Sequence, residues 1–146
     1  MKSLKLLPLA AILVGVTLAT PSFAVSPSST SGLTGTWHNV NPASGGIIKI
    51  VVTKVGSQLK FKSYGSCSPT PCIHTTVTAY PHSSSVSSNY ARGFTAYRNS
   101  GFKSVKFDAI RDFNQTSGTF MRLNSFNKFA AGDTRKDYVS SDLFRK

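Results

Sequence analysis

Glutamate is absent from this chain, and acid of any kind is scarce. The five acidic side chains are Asp108, Asp112, Asp133, Asp137 and Asp142, and no carboxylate side chain precedes Asp108. Against them stand 17 lysines and arginines, for a formal net charge of +12. The glutamate base common in small ribonucleases therefore has no counterpart. A glycosidase needs two carboxylates flanking the bond it cleaves. Here they would have to come from the late aspartates. Asp133, Asp137 and Asp142 sit among Arg135, Lys136, Arg145 and Lys146, and surface pairing explains them at least as well as catalysis.

Other chemistry is missing too. Two cysteines and three histidines (His38, His74 and His82) show none of the tight ligand spacings of zinc sites. A metal site would require distant strands to bring His38 and His74 together, so no metal and no cofactor is expected. No Gly-rich phosphate loop opens a helix and no G-x-S-x-G elbow occurs. Beyond residue 24 there is no long apolar run and no Ala/Leu/Glu stretch of helical period. This argues against a membrane-spanning helix and against a helical fold.

What is present begins with "MKSLKLLPLAAILVGVTLATPSFA". Lys2 and Lys5 precede an apolar run from Leu6 to Leu18, and Ser22 and Ala24 form a small-residue cleavage site. This is the anatomy of a secretory signal peptide, expected over residues 1–24. Secretion places the mature chain outside the cell or in a periplasm, and the pattern suits a bacterial protein. Residues 25–32, "VSPSSTSG", are expected to be a flexible Ser/Pro-rich leader. Residues 33–146 have the length of a single domain.

That domain reads as a succession of short strands. "IIKIVVTK" is β-branched, and in "QLKFKSY" Leu59, Phe61 and Ser63 alternate with Lys60, Lys62 and Tyr64. Period-two alternation puts one face in the core and the other in water. "IHTTVTAY", "YARGFTAYR", "FKSVKFDAI", "TFMRLNSFNKF" and "RKDYVSSDLFRK" continue the pattern, with "LTGTWHN" as the first strand. "PHSSSVSSN" reads as a loop, "NSG" as a hairpin link and residues 111–118 as a further turn. The expectation is all-β: an antiparallel up-and-down barrel of about eight strands, closed so that no edge is exposed, with a two-sheet β-sandwich as the alternative.

Both cysteines lie in "GSCSPTPC". A metal clip lacks two more nearby ligands, and a redox motif is usually C-x-x-C beside a helix. In an oxidising compartment Cys67 and Cys72 are expected to form a disulfide that rigidifies a connector between strands.

The positive charge attracts anions without choosing among them. If Ile48, Ile50 and Val52 face inward, Lys49 faces outward. The same alternation turns Lys60, Lys62 and Lys106 outward, and tyrosines are interleaved with these cations. Lys49, Lys60, Lys62 and Lys106 are therefore the candidate binding residues. Their partners would be an anionic polysaccharide, nucleic acid or an acidic protein.

"LTGTWHN" resembles the opening strand of avidins and lipocalins, which begin their barrels with a G-x-W element. The resemblance implies that Trp37, the only tryptophan, closes the base of the core. "LKFKSYGS" and "ARGFTAYRN" are faintly avidin-like, with Asn39, Tyr64 and Ser66 at loosely corresponding places. Avidins surround biotin with several tryptophans, so biotin binding does not carry over. "GTWHNVNP", "GSCSPTPC" and the terminal "DYVSSDLFRK" resemble a group of small extracellular bacterial proteins more fully. That resemblance implies a secreted β protein and brings no activity with it. The acidic residue and tryptophan that follow the second cysteine in that group are here Ile73 and His74.

The sequence thus favours a secreted, non-enzymatic binding protein. It would recognise an anionic polymer on a basic face, or a small apolar molecule in the barrel interior. One alternative is a small basic phosphodiesterase or nuclease using His38 or His74. Another is an inhibitor or adhesion module for an acidic protein.

Overall fold

The computed structural model describes residues 26–112 and 119–146. The expected signal peptide (1–24) and most of the turn at 111–118 lie outside the described residues. Eight strands follow in order: β1 (Gly35–Asn39), β2 (Ile47–Val55), β3 (Gln58–Gly65), β4 (Cys72–Ser83), β5 (Ala91–Asn99), β6 (Lys103–Asp112), β7 (Phe120–Phe129) and β8 (Tyr138–Arg145). Each pairs antiparallel with the next, and β8 returns to β1, closing the barrel. The closure rules out the two-sheet alternative. Among the described residues no helix is long and apolar enough to cross a membrane.

Alternation builds the interior. On β3, Leu59, Phe61 and Ser63 are buried, while Lys60 is exposed and Lys62 partly so. The ring of Phe61 packs against Phe94 and Phe107, with centroids 5.4 and 5.0 Å apart. Trp37 and Phe144 are also fully buried. Burying each such side chain stabilises the fold by roughly 1.5–3 kcal/mol.

β2 departs from simple alternation. Ile48 was expected inside, but it is only partly buried and Ile47 takes the core position at 7% exposure. The cause is a register shift between Ile47 and Lys49, where one extra residue reverses the parity of the strand. β4 also runs further than the sequence suggests, through Pro81 and His82, which pair with Phe94 and Gly93. Pro81 is buried behind Ala79, so packing outweighs the ladder bond that proline cannot donate.

The barrel ends differ. At one end the leader folds back. Ser29 donates its amide to Asn89 and accepts from Ala91, Thr30 is 4% exposed and Leu33 is fully buried. The Trp37 indole N–H donates to the Leu33 carbonyl at 2.9 Å. Composition suggested a flexible leader over 25–32. Its polar backbone instead finds partners on the loop before β5, and Leu33 supplies the apolar anchor. At the other end lie the links 40–46, 66–71, 100–102 and 130–137. The shortest of these relies on Gly101, whose φ of 82° suits a residue without Cβ.

Candidate binding site at the open end of the barrel

A cavity of about 500 Å³ opens at this end, lined by the links 40–46 and 66–71 and by the ends of the strands beside them. Ile47, Val105 and Phe107 provide its apolar surface. Beneath it the buried rings of Phe61, Phe94 and Phe107 pack together in the barrel interior. The volume lies within the usual range for small-molecule sites, roughly 300–1,000 Å³.

The walls are polar because two strands change composition on their inward faces. On β7 the inward series runs Met121, Leu123, Ser125, Asn127, from apolar to polar towards the opening. On β8 it runs Phe144, Asp142, Ser140. Ser125 is 4% exposed and its hydroxyl has no hydrogen-bond partner. Ser63, one inward position deeper on β3 than the cavity-lining Gly65, is likewise buried and unpartnered. An unpaired buried hydroxyl costs about 1–3 kcal/mol. Asn127 is held by its own Nδ2–H, which donates to the Ser125 carbonyl at 3.0 Å.

Asp142 was expected as a surface partner of basic residues, but it faces the cavity. Phe144 is fully buried, and the period of two carries Asp142 inward with it. Asn39 Nδ2 donates to Asp142 Oδ1 at 3.1 Å and to the Ile47 carbonyl at 2.8 Å.

The arc from β4 to β6 carries basic side chains. His74 and Lys103 line the cavity. His74 is held below its ordinary value first by loss of solvent, then by the charges of Arg98 and Lys103. Lys103 is lowered by the same kind of desolvation, then by Arg98 and Arg135. Both groups thus bind their protons less firmly than in water, and an anion between them would reverse the effect. The lining therefore has a negative pole at Asp142 and, across from it, the Lys103 ammonium with the neutral-leaning His74 imidazole beside it.

The link 130–137 is fixed by Arg135, which forms a two-pronged pair with Asp133 (2.9 and 2.6 Å) and stacks over Phe129 and Phe102. The pair pulls the Asp133 carboxyl down to about 2. Asp137 accepts the Phe129 amide at 2.8 Å. Tyr138 follows directly and lines the cavity rim.

The other expected residues are distributed as follows. Cys67 and Cys72 are disulfide-bonded, with Cα atoms 5.5 Å apart, and Cys72 reaches the cavity wall. Trp37 lies deep, toward the closed end. Lys49, Lys60 and Lys62 point outward on β2 and β3, and Lys49 covers the ring of Tyr64 at 4.1 Å. Lys106 also points outward, but on β6 beside Phe126, across the barrel. The four lysines do not form one face. His38 is exposed outside β1, in register with Lys49 and Arg145, whereas His74 lines the cavity. The two histidines therefore do not converge on a common site. Among the described residues no group of His, Cys, Asp or Glu is placed to hold a metal ion.

Lys103, Ser125, Asn127 and Ser140 also line the cavity, though none was expected there from the sequence. For the last three the signal was polar residues continuing an inward apolar series at period two. No family model, curated protein or solved structure matches this chain.

Proposed function

We propose that this protein is a secreted, non-enzymatic binding protein that holds one small polar molecule in the open end of its barrel. The observation that carries this reading is the polar lining of a cavity of ligand size, in whose wall the buried Ser125 hydroxyl has no partner. A ligand that bonds this hydroxyl relieves the cost of leaving it unpaired. The poles of the lining define the ligand further. A hydrogen-bond donor suits Asp142, an anionic group suits Lys103 and His74, and a compact apolar body suits Ile47, Val105 and Phe107. This favours a polar ligand over the small apolar one expected from the sequence. The disulfide and the signal-like N-terminus support secretion.

Native mass spectrometry of protein collected from culture medium tests the proposal. The wild type is expected to carry a bound small molecule, or to take one up from the spent medium. Ser140→Trp, which narrows the cavity, is expected to lose it. Retention of the same adduct by Ser140→Trp would place the ligand elsewhere and overturn the reading.

A further inference from the structure

The first five strands contain no carboxylate. Register places their outward cations in neighbouring rows. Arg145, His38, Lys49 and Tyr64 pair in turn across β8, β1, β2 and β3. The next row is Thr36, Val51, Lys62 and Thr76, and the one after it Thr53, Lys60 and Thr78. Lys60 and Lys62 are two residues apart on one strand, about 7 Å, and adjacent strands are about 4.8 Å apart. None of Lys49, Lys60 and Lys62 forms an ion pair among the described residues. The ion pairs seen all use aspartates of β6 or of the link before β8.

From this we infer a second binding surface, independent of the cavity: the outer wall of β1–β3 binds a linear anionic polysaccharide. Like charges held a few ångströms apart repel, and a chain of regularly spaced carboxylates or sulfates would neutralise them together. The threonines between the lysines offer hydroxyls to sugar hydroxyls. Single-stranded nucleic acid is the competing polyanion, and it binds through aromatic platforms on which bases stack. The one phenol in these rows, Tyr64, is already covered by Lys49. The wall thus supplies charge and hydroxyls rather than stacking.

The test compares two charge-matched double variants, each checked for a wild-type circular dichroism spectrum. Lys60→Glu/Lys62→Glu alters the wall. Lys106→Glu/Lys128→Glu alters exposed lysines across the barrel by the same net charge. Affinity for a heparin oligosaccharide and for oligo-deoxythymidine is measured over a salt series. The expected result is heparin binding that weakens steeply with salt. It should fall at least tenfold in the first variant and less than twofold in the second, with weaker binding of the oligonucleotide throughout. Equal losses in both variants would reduce the effect to net charge. Tighter binding of the oligonucleotide would assign the wall to nucleic acid, and no binding of heparin would remove the surface. Each of these overturns the inference.

Discussion

Asn39 on β1 donates a hydrogen bond to Asp142 on β8 at 3.1 Å, inside the mouth of the barrel. This bond spans the shortest seam of the sheet, where only His38–Arg145 and Asn39–Phe144 are in register. Two further bonds reinforce the seam: the Val40 amide to the Leu143 carbonyl at 2.8 Å, and Lys146 Nζ to the Thr34 carbonyl at 2.7 Å. The contact that closes the barrel therefore also fixes the acid of the cavity. Asn39→Ala removes it and leaves Asp142 without its donor. The expected loss is about 1.5–3 kcal/mol, as for hydrogen bonds to charged groups. Hydrogen exchange should quicken in β1 and β8 and stay unchanged in β3 and β4. Uniform acceleration would mean that the seam is not the weak joint.

Trp37 is fully buried toward the opposite end and its indole N–H donates to the Leu33 carbonyl. Trp37→Phe shortens a fully buried ring and strips the Leu33 carbonyl of its donor. Urea unfolding should show a destabilisation of about 2 kcal/mol, from cavity and lost bond together. A change below about 0.5 kcal/mol would show that the leader and Leu33 do not seal the base.

The pH dependence at the mouth has a definite sign. His74 is lowered from 6.5, chiefly by loss of solvent and then by Arg98 and Lys103. As pH falls below 6.5 the unfolded chain takes up this proton first, so stability falls across that window and is complete above it. His74→Gln should flatten that part of the stability profile. In addition, NMR titration of the wild-type ring should move upward when Lys103 is replaced by Met. An unchanged ring titration in Lys103→Met would separate the two groups.

The disulfide contributes a small, local effect. A loop this short stabilises by only about 2 kcal/mol on the chain-entropy model. Pro69 and Pro71 already restrict the unfolded loop. Cys67→Ser/Cys72→Ser should fold, with faster hydrogen exchange confined to the link between β3 and β4. Global unfolding at room temperature would contradict a local role.

Much of the fold was legible because alternation at period two is a direct print of a half-buried strand. Leu59, Phe61 and Ser63 read correctly from that alone. The bulge at Ile47–Lys49 was not legible, because one inserted residue leaves a β-branched run looking unchanged. The cavity was legible only in part. Asp142 stands among basic residues in sequence, which suggested a surface pair. Its true neighbour, Asn39, is supplied by barrel closure between the first and last strands. The grouping of Lys106 with Lys49, Lys60 and Lys62 failed for a related reason. Outward orientation follows from alternation, but which side of a closed barrel a strand occupies follows from topology.

The central claim is that the open end receives a small polar ligand bridging Asp142 and the His74–Lys103 arc. The most direct measurement is an NMR titration of the ¹⁵N-labelled protein with a panel of small carboxylates and amino-acid zwitterions. Saturable shifts are expected, clustered at Ile47, His74, Lys103, Ser125, Asn127 and Asp142, stronger for zwitterions than for simple carboxylates, and abolished in Ser140→Trp. Shifts scattered over the outer walls, or identical in Ser140→Trp, would contradict that claim.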